Sequence, residues 1–309
     1  MILKGLGIPD NFEEKLPNLK NKTLRWRNLY RSGTTINSES NISFYQNNGN
    51  NPAVGNLILV PALATNSSVD PLMKTIQYWG LTHRYNVFNI DTFLGDFERE
   101  LTPEEVQKNT YPEFKAIVKQ SIDFILPYTD NKPICIVGHC VSSTAISDIL
   151  NDCVRNKEKL PVHGAVLFAP FPEIPQSKYD SLMMRRLQIE SAKQASGVID
   201  PVTMIKFQHI KFVCAMQNFI KTAESVKFEP EIMSQWGIPV SFVIAGRDKI
   251  SPASRTKENL EKLNSCNGST ESHYLYIPNK KHSFEKFYDD SVAVIELIKQ
   301  QRKKHQRIK

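Results

Sequence analysis

The chain has 309 residues, of which 40% are hydrophobic and 23% charged, and its formal net charge is +7. This composition supports a packed core and excludes wholesale disorder, and no apolar run approaches the ~20 residues of a membrane-spanning helix. Six of the positive charges lie in the segment 299–309, which leaves the rest of the chain at +1, so the charge does not indicate a specific nucleic-acid partner.

The N-terminal third begins with a pattern typical of a β-hairpin. Thr23–Tyr30 and Ile42–Tyr45 are strand-like runs, and the polar stretch Ser32–Asn41 between them is rich in turn-forming residues. Asn56–Val60 is then a short continuous apolar run, which is typical of a strand buried on both faces. A helical segment, Pro71–Leu81, follows it.

Strands and helices alternate from this point to residue 168. The next predicted strands are Asn86–Ile90, Pro133–Val137 and Gly164–Phe168, and the predicted helices between them are Pro112–Leu126 and Val141–Arg155. Alternation of this kind requires crossover connections, which place helices on both faces of the strands. We therefore predict an α/β fold with a mostly parallel sheet flanked by helices.

Residues 171–235 interrupt the alternation. They contain no strand-like run and have helical composition, including Ser181–Ala195 and Pro201–Thr222. The alternation then resumes with the strands Val240–Ala245 and His273–Ile277, the helix Ala253–Asn264 and a final helix beginning near Phe284. The sequence thus predicts a core made of residues 1–170 and 236–309 and a helical cap insertion at 171–235.

The two ends of the chain bear on its location and partners. The start, MILKGLGIPDNFEEKLP, reaches a proline and acidic residues where a signal peptide has its apolar region, so we expect a cytoplasmic protein. We interpret 299–309 as a basic C-terminal tail at the solvated end of a last helix. A weak contact of this tail with anionic lipid or RNA is the alternative.

Cysteine and histidine spacing bears on metals and cofactors. The five cysteines match neither a zinc site nor a disulfide framework, and the histidines show no HExxH-like spacing. The glycine motifs that hold nucleotide phosphates are also absent from the sequence. We therefore expect no metal and no cofactor, and each cysteine is either a small buried hydrophobe or a nucleophile.

The most informative local motif joins the strand Pro133–Val137 to the helix Val141–Arg155. The strand ends in Gly138, and the chain turns at once through His139 and Cys140 into the helix. A side chain on such a turn projects above the sheet, where the helix N-terminus stabilises a thiolate and offers N–H groups to an oxyanion. Cys140 is therefore a candidate nucleophile, and a buried structural cysteine is the alternative.

The run Gly138-His139-Cys140-Val141-Ser142 resembles the G-x-S-x-G nucleophile elbow of the α/β-hydrolase superfamily. Cysteine in place of serine narrows the resemblance to thiol members such as dienelactone hydrolases and polyhydroxyalkanoate synthases. The likeness to the synthases extends over about residues 55–150 and 238–285, although their Cys-x-Gly-Gly stands here as Cys140-Val141-Ser142-Ser143. The resemblance implies an α/β-hydrolase fold.

The resemblance also implies the partners of the nucleophile. In this superfamily the nucleophile, an acid and a histidine follow one another along the chain, each after a strand. Asp248 follows the strand Val240–Ala245, and His282 follows the strand His273–Ile277. The implied catalytic triad is Cys140, His282 and Asp248.

Further site residues follow from the same resemblance. Two backbone N–H groups would form the oxyanion hole, one from Val141 after the nucleophile and one from Leu63, because Pro61-Ala62-Leu63 aligns with the family's His-Gly-x. Independently of the resemblance, the segment Val202–Ile220 has apolar residues near helical spacing, and Met204, Phe207, Phe212 and Met216 are candidates for lining an acyl pocket; a cap helix packing on the core is the alternative. His139, beside Cys140, is a further candidate, for which a packed or half-exposed turn residue is the alternative.

The predicted function is acyl transfer from a small-molecule ester or acyl-thioester. The enzyme would be an esterase-like or thioesterase-like hydrolase or an acyltransferase with a cysteine nucleophile. A non-catalytic relative acting as a binding protein is the first alternative, and a polymerising acyltransferase like the polyhydroxyalkanoate synthases is the second. The acyl chain, the acceptor and the oligomeric state remain open at this stage.

Overall fold

A computed structural model of the chain describes residues 19–29, 37–47, 52–62, 70–91, 110–170, 226–282, 284 and 298–299. The strands of these residues form one sheet in the order β1-β2-β4-β3-β5-β6-β7-β8. Their bounds are β1 (Leu19–Leu29), β2 (Asn37–Asn47), β3 (Gly55–Val60), β4 (Tyr85–Asp91), β5 (Ile134–His139), β6 (Gly164–Phe168), β7 (Val240–Ala245) and β8 (Ser272–Ile277).

The direction of the strands confirms the predicted mostly parallel sheet. β1 pairs with β2 and β2 with β4 in antiparallel register, whereas every pair from β4 through β8 is parallel. The antiparallel hairpin therefore lies at one edge. Its strands are longer than predicted, and β2 begins at Asn37, within the stretch predicted as a turn. The hydrogen bonds between paired strands are made by the backbone. Polar residues can therefore extend an antiparallel pair even though their side chains do not form a strand-like pattern in the sequence.

The central strands are buried on both faces, which explains their continuous apolar sequences. Every residue of β3, β5, β6 and β7 is buried. Asn56 is the one residue of β3 with an amide side chain, and it is fully buried. Its side chain donates to the Thr129 carbonyl at 2.9 Å and accepts from Asn86 at 3.0 Å. Those bonds offset the cost of burying a polar group.

The helices of the described residues are α1 (Pro71–Thr82), α2 (Tyr111–Ile125), α3 (Val141–Arg155), α4 (Pro230–Met233) and α5 (Ala253–Ser265). The buried residues of α5, Thr256, Asn259, Leu260 and Leu263, recur at the spacing of one helical face. None of the described helices is long and apolar enough to cross a bilayer.

The start of the final helix, expected near Phe284, stays a prediction because residues 285–297 lie outside the described residues. Phe284 itself has a φ of 48°, and Ile298 and Lys299 are helical. The Phe284 side chain is fully buried beside Phe168, with ring centroids 5.2 Å apart.

The chain divides into two compact units. The larger consists of Met1–Asp96, Ile117–Pro172 and Phe228–Lys309 and contains the whole sheet; the smaller consists of Phe97–Ala116 and Glu173–Lys227. The predicted cap, 171–235, falls mostly outside the described residues, and its bounds stay a prediction. The basic tail beyond Lys299 also lies outside them.

Candidate active site

The carboxyl ends of three parallel strands bring the predicted triad to one edge of the sheet. β5 ends at His139, β7 at Ala245 and β8 at Ile277. Because parallel strands end on the same side, the loops that carry Cys140, Asp248 and His282 all begin there. This edge is where open α/β sheets bind their ligands.

Cys140 occupies a sharp turn between β5 and α3. Its φ is 59° and its ψ is −125°, a conformation that side chains rarely adopt and that is concentrated at functional sites. The turn is held by the Cys140 N–H, which donates to the Phe168 carbonyl at 2.9 Å, and by the Cys140 carbonyl, which accepts from the Ser143 N–H at 3.0 Å.

Gly138 makes this turn sterically feasible. A Cβ atom at Gly138 would lie 2.6 Å from the Ile146 side chain and 2.9 Å from the Ser143 nitrogen. Both distances are too short for any side chain, so only glycine lets α3 start this close to the end of β5. The first glycine of the predicted elbow therefore has a physical role in the structure.

Ser142, which replaces the last glycine of the motif, fits the turn without opening it. Its side chain is fully buried, and its hydroxyl donates to the backbone carbonyl of Pro61. Pro61 directly follows β3, in the loop that the resemblance assigns to the oxyanion hole. The serine thus fastens the start of α3 to this loop, which a glycine would leave unbonded.

His282 and Asp248 form a direct hydrogen-bonded pair. The Nδ1 atom of His282 lies 2.8 Å from Oδ2 of Asp248. The other carboxylate oxygen, Oδ1, accepts from the backbone N–H groups of Ile250 at 2.8 Å and Ser251 at 2.9 Å. The Asp248 carboxylate is therefore oriented from both sides. His282 donates to it through a proton on Nδ1, which leaves Nε2 to interact with Cys140.

The environment of His282 favours its charged form. Burial by itself lowers the pKa of this imidazole, but the charge of Cys140, the hydrogen bond to Asp248, a hydrogen bond with Cys140 and the charge of Asp248 together raise the pKa from 6.5 to about 10. At neutral pH the ring is then an imidazolium between two groups that carry negative charge when ionised.

The loops after β7 and β8 are joined by backbone hydrogen bonds. The Gly246 N–H donates to the Ile277 carbonyl and the Arg247 N–H donates to the Lys280 carbonyl, each at 2.8 Å. A Cβ atom at Gly246 would lie 2.5 Å from the Pro278 carbonyl oxygen, so glycine permits this approach. Asp248 and His282 therefore lie on two loops that hydrogen-bond to each other.

His139 is buried and has polar neighbours at both ring nitrogens. Only 4% of it is exposed, Nε2 lies 2.8 Å from the backbone carbonyl oxygen of His282, and Nδ1 lies 3.7 Å from Oδ2 of Asp70. Its ring also packs edge-on against Phe284, with centroids 5.7 Å apart. The lining of an acyl pocket by His139 stays a prediction.

Asp70 is the residue near the site that sequence reasoning missed. It is buried and caps α1, with Oδ1 accepting from the Leu72 N–H at 2.9 Å and the Met73 N–H at 3.3 Å. An Asp-Pro pair at the start of a helix signals such a cap. The sequence carries no signal that the same carboxylate faces His139.

Of the two predicted oxyanion donors, Val141 and Leu63, the structure describes only Val141. Val141 is the first residue of α3, where N–H groups have no acceptor within the helix. Leu63 lies outside the described residues, as do the four predicted pocket residues Met204, Phe207, Phe212 and Met216.

The other described cysteines lie away from this arrangement. All four described cysteines are free; Cys135 and Cys153 are buried, and Cys266 is half-buried at the end of α5. Burial raises the pKa of Cys135 to about 12, which keeps it a protonated thiol. In the described part of the chain, His, Cys, Asp and Glu form no group of three or more that could hold a metal ion.

Comparison with known proteins identifies the fold of this chain only. Neither a protein-family model nor a curated protein matches it. An esterase of Pyrococcus furiosus, Pf2001, is 16% identical with a TM-score of 0.56 over 94% of each chain. The peroxisomal α/β-hydrolase Lpx1 of Saccharomyces cerevisiae is 13% identical, with a TM-score of 0.60 over 93% of this chain and 89% of its own.

A third similar structure is the thioesterase domain from the curacin biosynthetic pathway, 12% identical with a TM-score of 0.52 over 91% of this chain and 98% of that one. Identities this low carry information about architecture and not about activity. Together with the strand order and the elbow at Cys140, these likenesses show that the chain has the α/β-hydrolase fold.

Proposed function

We propose that the protein is a cysteine-dependent acyl-transfer enzyme that acts on a small-molecule ester or acyl-thioester, as a hydrolase or an acyltransferase. The observation that carries this proposal is the His282 ring, which bonds to Asp248 at 2.8 Å and interacts with Cys140 on a sharp strand-to-helix turn. A nucleophile, a base and an orienting acid in this order are the parts that acyl transfer requires. The similar esterases and thioesterase are consistent with that chemistry.

The first half of the reaction forms an acyl-enzyme. Sγ of the Cys140 thiolate attacks the carbonyl carbon, a C–S bond forms, and the carbonyl oxygen takes the negative charge. As the oxyanion collapses, the bond to the leaving alcohol or thiol breaks, and the His282 imidazolium gives its Nε2 proton to that leaving group. Cys140 then carries the acyl group as a thioester, and His282 is neutral.

The second half transfers the acyl group to an acceptor. Neutral His282 removes a proton from water, an alcohol or a thiol, and the acceptor atom attacks the thioester carbonyl. The C–S bond breaks, and the Cys140 thiolate and His282 imidazolium are restored. Asp248 keeps the ring in the required tautomer and stabilises its charged form in both halves.

The oxyanion would be held by backbone N–H groups of Val141 and Leu63. Val141 contributes from the N-terminus of α3, where the helix dipole also favours negative charge. The Ser142 hydroxyl, bonded to the Pro61 carbonyl, ties the loop before Leu63 to that helix end. The predicted cap residues, Met204, Phe207, Phe212 and Met216, belong to this proposal as the apolar surface for the acyl chain.

Replacing the nucleophile tests the proposal. With p-nitrophenyl butyrate and a short acyl-thioester as probes, Cys140→Ala should lose turnover by on the order of 10³-fold or more, because no covalent intermediate can form. Mass spectrometry of the wild type should detect a butyryl adduct on the peptide that contains Cys140. The matched control, Cys266→Ala, removes a half-buried thiol at the end of α5 and should keep the wild-type rate.

The outcomes separate the alternatives. Undiminished turnover by pure Cys140→Ala would rule out this nucleophile, and a wild type with neither turnover nor adduct would favour a non-catalytic binding protein. Adding a competing alcohol or thiol then distinguishes a hydrolase from an acyltransferase, because only efficient capture by the acceptor diverts the acyl group from water. Products longer than one acyl unit would indicate the polymerising alternative.

A further inference from the structure

The end of β6 lies between the turn that carries Cys140 and the loop that carries Asp248. β6 pairs with β5 on one side and with β7 on the other. The carbonyl of its last residue, Phe168, accepts from the Cys140 N–H at 2.9 Å and from the Ser143 hydroxyl at 3.0 Å. Phe168 and Ser143 are fully buried, so the second bond is shielded from water. The end of β6 therefore holds the Cys140 turn at two points.

The same segment holds the Asp248 loop two residues further along the chain. The Ser251 hydroxyl donates to the Pro170 carbonyl at 2.6 Å, and the Ser251 N–H donates to Oδ1 of Asp248 at 2.9 Å. Ser251 is 2% exposed, and a buried hydroxyl needs such an acceptor. Ser251 is thus bonded to Asp248 through its backbone and to the segment after β6 through its side chain.

Ala169 gives the segment 168–170 the shape that these contacts require. Its φ is 42°, in the left-handed region that costs free energy for a residue with a Cβ atom. Along a regular strand, the carbonyls of residues i and i+2 point toward the same neighbouring strand. Here the Phe168 carbonyl bonds to the turn after β5, whereas the Pro170 carbonyl bonds to the loop after β7. The unusual backbone at Ala169 separates these two directions, and backbone of this kind is concentrated at functional sites.

The Phe168 side chain connects the segment 168–170 to the third loop of the site. Its ring packs edge-on against the ring of Phe284, with centroids 5.2 Å apart. Both side chains are fully buried, and Phe284 stands two positions after His282. The segment 168–170 therefore contacts the chain beside each of the three triad residues.

We propose that Ser251 is a positioning residue, which fixes the Asp248 carboxylate relative to Cys140 through the segment 168–170. The proposal rests on the proposed function only for the roles of the triad residues. Asp248 orients the His282 ring through the bond to Nδ1, so detaching the Asp248 loop from the segment should let the ring move relative to the Cys140 sulfur. The Ser251 hydroxyl bonds to a backbone carbonyl and takes no part in the proton transfers.

Ser251→Ala removes the hydroxyl and keeps the backbone N–H that bonds to Asp248. We expect kcat for p-nitrophenyl butyrate to fall about 10- to 100-fold with KM within about twofold, since misplacing a catalytic group by ~1 Å can cost about 10²-fold. The matched control is Ser234→Ala, which removes a buried serine hydroxyl that donates to the Glu231 carbonyl at 2.9 Å at the end of α4. Both variants lose a hydrogen bond and should lower the urea midpoint, but only Ser251→Ala should change kcat.

The Nδ1 proton of His282 gives a readout that needs no substrate. This proton is shared with Asp248 across 2.8 Å, and its low-field NMR resonance reports that contact. We expect the resonance to shift or broaden in Ser251→Ala and to keep its wild-type position in Ser234→Ala. A serine that only supports the core would lower the urea midpoint without moving the resonance.

A double variant tests whether the segment 168–170 connects the two sides. Ser143→Ala removes the hydroxyl that bonds to Phe168, and Ser251→Ala removes the one that bonds to Pro170. Either substitution alone loosens the connection between Cys140 and Asp248, so the second should add little. The loss in kcat of Ser143→Ala/Ser251→Ala should therefore be smaller than the product of the two single losses.

A folded Ser251→Ala with wild-type kcat and an unmoved resonance would overturn the proposal, and so would a double variant whose losses multiply. If Ser251→Ala does not fold, Ser251→Cys replaces it, because a thiol has a similar shape but is a weak donor. Ser251→Cys should move the resonance in the same direction by less, and an unmoved resonance would again contradict the proposal. If the wild type has no acyl-transfer activity, the proposed function fails, but the resonance still decides whether Ser251 positions Asp248 and His282.

Discussion

At the residue scale, the site depends on how one imidazole is charged. His282 is largely buried, and burial alone would keep it neutral, yet the interactions with Cys140 and Asp248 raise its pKa to about 10. Each of these partners also has a separate backbone attachment, Cys140 through Phe168 and Asp248 through Ile250 and Ser251. The positive charge of His282 is therefore stabilised by two partners that backbone hydrogen bonds hold in place.

The titration of His282 tests this account. Its NMR signal should titrate near pH 10 in the wild type and at lower pH in Cys140→Ala, because the charge of Cys140 is the largest effect that raises the pKa. Since the folded-state pKa lies above the unfolded value of 6.5, the imidazolium stabilises the folded state fully below pH 6.5. This contribution is lost as the pH rises through about 10, so the free energy of unfolding from urea titrations should fall across that window.

The same urea titrations provide the control. Cys140→Ala should show a smaller fall in unfolding free energy over that pH range than the wild type does. A wild-type His282 that titrates close to 6.5 would mean that Cys140 is not close enough to interact, and the assignment of the base would then lose its electrostatic support.

At the element scale, the site is assembled where β3, β5, β7 and β8 end, and the contacts between their loops are made by few groups. Ser142 joins α3 to the loop after β3, Gly246 allows the loops after β7 and β8 to meet, and the Ser251 hydroxyl donates to the Pro170 carbonyl at 2.6 Å. Each contact joins segments far apart in the chain, so losing one should affect function more than local structure.

Ser142→Gly restores the usual elbow motif and should nevertheless harm this protein. It leaves the Pro61 carbonyl without its buried donor, which costs about 1–3 kcal/mol, and it adds the backbone freedom of glycine inside a helix. We expect a lower urea midpoint and a lower kcat/KM for p-nitrophenyl butyrate, because the loop after β3, to which the proposed function assigns an oxyanion donor, is no longer fastened to α3.

Two variants separate the causes. Ser142→Ala removes the hydroxyl without adding backbone freedom and should reproduce most of the loss. Ser147→Ala removes a hydroxyl that bonds to the Ser143 carbonyl within α3 and should leave kcat/KM near the wild-type value. If Ser142→Ala and Ser142→Gly both match the wild type in stability and activity, the bond to Pro61 has no positioning role.

These elements also show what a sequence can reveal. β3, β5 and β7 were predictable because a parallel strand between two helix layers reads as an unbroken apolar run, and Cys140, Asp248 and His282 followed from a local motif and a family's chain order. The contact of Asp70 with His139 joins positions far apart in the chain and depends on how α1 packs against β3 and β4, since β5 lies next to β3 in the sheet. No local spacing encodes such a contact, and an Asp before Pro71 signals only a helix cap.

At the scale of the whole molecule, the core extends along the chain at least to Ile298. This side chain is 1% exposed and belongs to the same apolar cluster as Phe284 and Ile277, next to the loop that carries His282. Beyond Lys299, the sequence continues with five lysines and arginines and no acidic residue. The composition of the sequence therefore becomes basic within a few residues of the buried Ile298, so we expect truncations on either side of Ile298 to differ in effect.

Truncation after Lys299 should leave the turnover of p-nitrophenyl butyrate within about twofold, because charged residues without an apolar face do not build a core. Truncation after Leu297 also removes Ile298, and losing a buried aliphatic side chain costs about 2–5 kcal/mol, so its urea midpoint should fall clearly. Sedimentation with phosphatidylserine vesicles should show weaker, salt-sensitive binding for both variants, since surface charges are screened beyond ~10 Å at about 0.1 M salt. If the shorter truncation, after Lys299, already unfolds the protein or removes activity at every salt concentration, the tail packs on the core and its charges are not a solvated appendage.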